Sequence, residues 1–183
     1  LYKNGQPFKM SKRTGDFISA QDLSNEVSKD ALRFMMLNRS NDVELDFDFE
    51  KVKEKTKDNP VFYVQYTYAR INSIVRALKI NLKDQISINL ETFKPNEYEE
   101  KILRKIFEWP KIIGSAASKL EPHKIPFYLY ELSTLFHAYW SKGNEDSKFR
   151  FIKDGKLKRF ESLAFIYLVS LSVSVVVVIE IFT

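Results

Sequence analysis

Two lysines, a serine and an arginine fall within five residues near the start of the chain, and together they could surround a polyphosphate. The string is Lys9-Met10-Ser11-Lys12-Arg13. Its cations can neutralise the charge that builds on a leaving pyrophosphate, and its hydroxyl can donate a hydrogen bond to a phosphate oxygen. Phosphoryl or adenylyl transfer is therefore the chemistry that this basic string could serve. Taken alone, such a string is more typical of a solvated turn.

A second group of residues could contact RNA. Tyr66 and Arg70 lie four positions apart and share one face of a helix, whereas Gln65 lies outside that face. A tyrosine beside an arginine can stack on a base while the guanidinium holds its phosphate. Tyr139 and Trp140 are consecutive, so one of the two rings must point outward on a helix. The alternative interpretation is that the rings of Tyr66, Tyr139 and Trp140 pack in the core.

The elements that must position these residues follow from periodicity and from turn and cap patterns. Asn4-Gly5 is typical of a two-residue hairpin, with strands at residues 1–3 and 6–8. From residue 20 onward the apolar period is helical. Three short helices are predicted: residues 20–27, residues 31–37 with Asp30 as the N-cap, and a helix through residues 52–55 capped by Asp46 or Asp48.

The longest predicted helix is residues 61–78. It follows Asp58-Asn59-Pro60, which supplies a capping side chain and a proline at the first helical position. Residues 81–95 are expected to be a polar connection. Asn96 should cap a helix over 97–108. Pro110 should kink or restart that helix, which continues over 111–120. Residues 121–126 are predicted as a loop, residues 127–140 as a helix, and residues 143–155 as a polar linker.

The apolar segment at residues 162–179 has three interpretations. A buried helix that closes a helix bundle is favoured over a buried strand, although valine prefers extended backbone. A membrane span needs about 20 apolar residues, and residues 163–182 almost reach that length. Three serines and Glu180 weaken the membrane interpretation.

Composition excludes some classes of site. The chain has 183 residues and no cysteine, which excludes disulfides and thiolate metal sites and suits a reducing cytosol. Its two histidines, His123 and His137, cannot form a histidine-rich metal site and are expected to be ordinary packing or surface residues. A net charge of +5, with nine tyrosines and fifteen phenylalanines, favours a polyanionic partner whose bases can stack on rings.

Several motifs then point to one family. The basic string, followed by Thr14 and Gly15, closely resembles the KMSKS signature of class I aminoacyl-tRNA synthetases, in the form common among bacterial arginyl-tRNA synthetases. Asp30-Ala31-Leu32-Arg33-Phe34 is similar to the motif for which the DALR anticodon-binding domain is named. The following stretches also resemble the family over about residues 1–168: Leu45-Asp46-Phe47-Asp48, the N-P-x-x-Y-x-Q-Y-x-x-A-R-I pattern at residues 59–71, and Phe136-His137-Ala138-Tyr139-Trp140.

The resemblance implies an arginine–tRNA ligase. In this family arginine attacks the α-phosphate of ATP and releases pyrophosphate, and the arginyl group then moves to the 3′-terminal ribose of tRNA(Arg). Lys12 would stabilise the pyrophosphate, Lys9 and Ser11 would support it, and Met10 would anchor the loop against an apolar surface. Arg13 stands where a serine is commoner. Mg²⁺ is expected with the ATP, although no motif of this chain binds it.

The expected fold class is mainly α, an antiparallel helix bundle preceded by a small β-hairpin and loop. Residues 1–28 would be the end of a catalytic domain, and residues 29–183 a helical anticodon-binding domain. The motifs of the nucleotide-binding domain are missing, so this chain alone is not expected to activate arginine. A cytoplasmic monomer that binds no membrane is expected.

Three other interpretations compete with this one. A cysteinyl enzyme could carry the same helical domain, but the pattern at residues 59–71 argues against it. A stand-alone RNA-binding helical module would have no catalytic role. A membrane-tethered helical protein would use residues 163–182.

Overall fold

A computed structural model describes residues 2–3, 6–7, 19–44, 46–77, 79, 94–153 and 156–157. The basic string, the Asn4-Gly5 turn, residues 81–93 of the polar connection and the apolar segment at 162–179 lie outside the described residues. The described residues are mainly helical, which confirms the expected fold class. They form two compact units: residues up to Tyr63 with Ile113–Phe127, and Val64–Ile112 with the residues from Tyr128 onward.

The elements of the described residues follow in chain order. They are β1 Tyr2–Lys3, β2 Gln6–Pro7, α1 Ala20–Glu26, α2 Lys29–Leu37, α3 Phe49–Lys53, α4 Pro60–Ala77, α5 Glu97–Phe107, α6 Trp109–Lys119, α7 Lys124–Glu145, a 3₁₀ turn Ser147–Phe149, β3 Ile152–Lys153 and β4 Lys156–Leu157. None of the helices within the described ranges has the length and apolar character that crossing a membrane requires.

The first unit is organised around a small apolar core. Its five buried side chains are Val27, Ala31, Phe47, Val52 and Val61. Four partly buried side chains pack against them: Leu23, Leu32, Phe34 and Met35. The predicted hairpin is confirmed in its described strands, where Tyr2 pairs with Pro7 and Lys3 with Gln6 in antiparallel register. The Tyr2 amide also donates to the Phe47 carbonyl at 2.8 Å, so strand β1 is tied to the turn that precedes α3.

The predicted cap of α2 is wrong by two residues. Ser28, not Asp30, is the N-cap, because its side chain accepts a hydrogen bond from the Ala31 amide. Asp30 lies in the first helical turn, where a carboxylate complements the positive end of the helix dipole. For α3 the structure selects Asp48 over Asp46: Asp48 accepts from the amides of Glu50 and Lys51.

Asn59 joins the end of α3 to the start of α4. Its side-chain oxygen accepts from the Val61 amide at 3.1 Å, which caps α4 as predicted. Its side-chain nitrogen donates to the Val52 carbonyl at 2.8 Å and to the Glu54 carbonyl at 2.7 Å. The residue is 5% exposed, so these backbone groups have little access to water. One buried amide therefore satisfies orphan groups at two helix ends.

Two of the predicted connections are wrong in part. Helix α7 begins at Lys124, so Pro126 is helical rather than in a loop. A proline is tolerated there because the first amides of a helix have no intrahelical partner. At the other end α7 continues to Glu145. The predicted linker contains a 3₁₀ turn and strand β3, which pairs with β4 just beyond it. Gly143 permits this fold-back, because a Cβ there would lie 3.1 Å from the Phe149 carbonyl oxygen.

We expect Asn59→Ala to lower the free energy of unfolding by about 2 kcal/mol, since it removes a cap and leaves buried carbonyls unpaired. Asn59→Asp keeps the oxygen acceptor and loses the amide donor, so it should lower the free energy of unfolding by a smaller amount. Urea denaturation followed by circular dichroism measures both. Asn25→Ala is the control, because Asn25 is exposed on α1 and accepts from its own helix neighbour Gln21. Equal losses in Asn59→Ala and Asn25→Ala would contradict this role.

Candidate nucleic-acid interface

Helix α4 presents part of the predicted RNA-binding group on its surface. Tyr66 is 39% exposed, Gln65 is exposed, and Arg70 is half-buried. The four-residue step brings Tyr66 and Arg70 together, and the Arg70 guanidinium donates to the Tyr66 hydroxyl at 2.6 Å. Gln65 is not part of this pair, in accordance with its different helical angle.

The Arg70 guanidinium lies over two aromatic rings. Its central carbon is 4.3 Å from the centre of the Tyr66 ring and 4.6 Å from the centre of the Trp140 ring. An arginine side chain keeps its charge at every physiological pH, and the negative faces of aromatic rings attract it. The structure thus brings Tyr66, Arg70 and Trp140 together in one charged and aromatic cluster, which we call the α4–α7 cluster.

The other ring of the consecutive pair points inward. Tyr139 is 3% exposed, whereas Trp140 is half-buried. The Tyr139 hydroxyl donates to one oxygen of Glu99 at 2.9 Å and accepts from the Asn96 side chain at 3.0 Å. Its ring also stacks against Tyr98, with centres 5.7 Å apart. The structure therefore does not bring Tyr139 to the surface with Trp140.

The Tyr139 hydroxyl belongs to a network at the start of α5. Asn96 caps this helix by accepting from the amides of Tyr98 and Glu99. The second Glu99 oxygen accepts from the Asn96 backbone amide at 2.8 Å, which completes a capping box. Glu99 is only 4% exposed, and both of its oxygens have partners. Helix α5 is thus held to α7 by a satisfied polar network.

A lysine links the same two helices further along. Lys105 forms ion pairs with Glu131 of α7 and with Glu108, at 2.9 Å for the latter. Burial works to lower the pKa of Lys105, but hydrogen bonds to Glu131 and Glu108 outweigh it and raise that pKa above its ordinary value. The lysine therefore stays charged at neutral pH. Within the described ranges, no group of acidic or histidine side chains is arranged to hold a metal ion.

His137 is a further member of this site, although the sequence predicts only an ordinary packing or surface residue there. It is 8% exposed, and its Nε2 lies 2.9 Å from the hydroxyl oxygen of the fully buried Thr67. Its ring also stacks on Tyr66, with centres 5.4 Å apart and planes inclined by 22°. The spacing held a clue: His137 and Trp140 lie three residues apart and so share a face of α7.

Comparison with known proteins fits this geometry. The family model of the DALR anticodon binding domain matches residues 64–174, which is more than half of the chain. The chain belongs to the DALR anticodon-binding domain family. The match begins at Val64, the residue at which the second compact unit also begins. The α4–α7 cluster therefore lies inside the DALR domain.

Two similar curated relatives are both named arginine–tRNA ligase. The chain is 56% identical over 170 residues to the arginine–tRNA ligase of Pelagibacter ubique, which covers 93% of this chain and 30% of the relative. It is 48% identical over 159 residues to the arginine–tRNA ligase of Ruegeria pomeroyi, covering 85% of this chain and 27% of the relative. The chain thus spans about a third or less of the length of these curated relatives.

Solved structures share the fold. A crystal structure from Campylobacter jejuni described as an arginyl-tRNA synthetase superposes with a TM-score of 0.77 at 28% identity, over 94% of this chain and 36% of that one. Thermus thermophilus arginyl-tRNA synthetase gives a TM-score of 0.59 at 20% identity, over 88% of this chain and 26% of that one. The second likeness is one of fold alone.

We expect Tyr139→Phe to lower the free energy of unfolding of the DALR domain by about 1–3 kcal/mol, because it deprives the buried Glu99 and Asn96 of a partner. Thermal and urea unfolding measure the loss. Tyr66→Phe removes the same hydroxyl from an exposed position and should change stability by less than about 0.5 kcal/mol. If the two variants unfold alike, the Tyr139 network does not stabilise the domain as described.

Proposed function

We propose that the chain is the C-terminal part of an arginine–tRNA ligase, and that its DALR domain binds the anticodon stem-loop of tRNA(Arg). The proposal rests on the names of the relatives and on the exposed α4–α7 cluster, in which one guanidinium lies over the rings of Tyr66 and Trp140. We further propose the division expected from the motifs, with residues 1–28 belonging to the catalytic domain and residues 29–183 to the tRNA-binding domain.

The cluster has the chemistry that a single-stranded RNA loop requires. Unpaired bases stack on aromatic rings and phosphates pair with arginine. Tyr66 and Trp140 supply rings that are at least partly exposed, Arg70 supplies a fixed positive charge, and Gln65 supplies an exposed amide beside them. Tyr139 serves the same site from the interior, because its hydrogen bonds hold α7 in the rotation that presents Trp140.

Catalysis falls to a different part of the chain. In the proposed enzyme, Lys12 neutralises charge on the pyrophosphate that leaves ATP, while Lys9, Ser11 and Arg13 contact the remaining phosphate oxygens and Met10 anchors the loop. Mg²⁺ would arrive with ATP. A chain without cysteine fits a reducing compartment, so we propose that the enzyme acts in the cytoplasm, as a monomer.

Binding to an anticodon stem-loop tests the RNA half of the proposal. We expect the 183-residue chain to prefer an arginine anticodon stem-loop over one with a swapped anticodon, with affinity falling as salt rises. Arg70→Ala should weaken binding about tenfold and reduce the salt slope by roughly one. Arg70→Lys should restore the slope but not the full affinity, because lysine lacks the planar group that lies over both rings. Fluorescence anisotropy at several salt concentrations gives both quantities.

The matched control for this measurement is Arg104→Ala. Arg104 lies on α5, is well exposed and pairs with Glu100 at 2.5 Å, so its loss removes an equal charge outside the cluster. Equal weakening by Arg70→Ala and Arg104→Ala would reduce the binding to nonspecific charge. Equal affinity for both anticodons would contradict the proposed specificity.

A chimera tests the catalytic half. The Pelagibacter ubique relative is similar enough for this chain to replace its matching segment, since 170 residues align at 56% identity. We expect the chimera to catalyse arginine-dependent exchange between pyrophosphate and ATP. Lys12→Ala should lower kcat by about 10²–10³-fold, the usual cost of removing one group that stabilises developing charge. Lys55→Ala, an exposed lysine outside the basic string, is the control. Unchanged exchange in Lys12→Ala would exclude this role for the string.

A further inference from the structure

One imidazole connects the interior of the DALR domain to its exposed aromatic ring. His137 meets the hydroxyl of Thr67, which is 0% exposed, and the ring of Tyr66, which is 39% exposed. Thr67 and Tyr66 are consecutive residues of α4, so their side chains leave the helix about 100° apart. The single side chain of His137 on α7 therefore contacts both a buried and an exposed residue of α4.

The contact with Thr67 fixes the plane of the imidazole. Thr67 is β-branched and sits in a helix, where its χ1 has few options, so its hydroxyl is a rigid partner. A buried hydrogen bond is costly to break when nothing else replaces it. The edge of Phe136, with ring centres 5.9 Å apart, also packs against the histidine. His137 is thus restrained on sides other than the one that Tyr66 covers.

The fixed imidazole in turn restricts Tyr66. A partly exposed tyrosine would otherwise exchange between rotamers within nanoseconds and would lose that freedom on binding a base. Here the ring lies nearly parallel to His137, inclined by 22°, and its hydroxyl accepts from Arg70 at 2.6 Å. Ordering the ring before RNA arrives reduces the entropy lost on association.

We propose that His137, oriented by Thr67, is a positioning residue that holds the Tyr66 ring in place while an unpaired base of the anticodon loop takes the position of the Arg70 guanidinium over that ring. This inference rests on the proposed function and assigns the histidine a role in the same site. His137 itself touches no RNA. Its contribution to affinity passes through Tyr66 and disappears when that ring is absent.

A double-mutant cycle with an arginine anticodon stem-loop tests the inference. Thr67→Val removes the orienting hydroxyl at nearly constant shape, and His137→Phe keeps a ring but loses the nitrogen. Each should weaken binding of the 183-residue chain by about fivefold, a fraction of what stacking one base contributes. In a Tyr66→Leu background the same two changes should each have less than about a twofold effect. Thr67→Ser should restore the native affinity.

Two further measurements separate positioning from stability. Thr134→Val is the matched control, since Thr134 is an exposed threonine of α7 whose hydroxyl donates to the Tyr130 carbonyl of the same helix. The chain has two histidines, so the imidazole nitrogen resonances of His137 can be resolved by NMR. Adding the stem-loop should shift its resonances in the native chain and in Thr134→Val, but not in Tyr66→Leu.

The outcomes distinguish this inference from the function on which it rests. If Thr67→Val and His137→Phe weaken binding equally with and without Tyr66, their role is structural and the inference is wrong. If Tyr66→Leu weakens binding while the other two changes do not, the inference is wrong and the anticodon-binding function stands. If the folded native chain binds no stem-loop, the function and the inference both fall.

Discussion

The buried carboxyl group of Glu99 is the constraint on which the second unit depends. A carboxyl group away from water is stable only when its oxygens are paired, and both Glu99 oxygens find partners here. One partner is the backbone amide of the cap residue Asn96, and the other is the Tyr139 hydroxyl on α7. Because a helix side chain reaches its target at only one rotation of the helix, the network fixes how α7 turns toward its neighbours.

That rotation determines which residues of α7 meet α4. His137 and Trp140 lie three residues apart on α7, and Tyr66 and Arg70 lie four apart on α4, so each pair forms a short row on one face. With Tyr139 directed to Glu99, the two rows face each other: His137 stacks on Tyr66, and Trp140 lies beneath the Arg70 guanidinium. A structural network several residues away thus positions the surface that could bind RNA.

The sequence predicted the helices well where a local side chain decides the boundary. Asn59 with Pro60, and Asn96 with Glu99, are cap patterns that act within one turn, and both helices begin where these patterns place them. The errors have different origins. At α2 the local pattern offers two cap-forming residues, Ser28 and Asp30, and the prediction chose the wrong one. Pro126 was predicted as a loop residue, yet it lies in the first turn of α7, where its missing amide costs nothing. Only at Gly143 does a more distant contact decide, because the backbone of Phe149 approaches it closely.

The candidate site shows the same division. Tyr66 and Arg70 could be paired from their spacing alone. The local sequence does not show which of Tyr139 and Trp140 points inward, because this depends on tertiary contacts: Tyr139 bonds to Glu99 of α5, and Trp140 packs against Arg70 of α4. The role of His137 was missed for the same reason: its partners Thr67 and Tyr66 are some 70 residues away in the chain. The sequence identified the family through motifs, whereas the orientation of each ring required the packed helices.

The strengths of these contacts differ in a way that suits binding. The bonds of Glu99, Tyr139, Thr67 and His137 lie away from water, where the loss of a hydrogen-bond partner costs about 1–3 kcal/mol. The bond from Arg70 to the Tyr66 hydroxyl is at the surface, where water can replace it at little cost. In the proposed complex, RNA would meet a layer of buried contacts beneath the Arg70 guanidinium, whose bond to the Tyr66 hydroxyl water can replace. The Arg70 guanidinium can give up its bond to the Tyr66 hydroxyl and bind a phosphate instead, without breaking the buried hydrogen bonds below it. The free-energy cost of rearrangement is then small, because water can hydrogen-bond to the released Tyr66 hydroxyl.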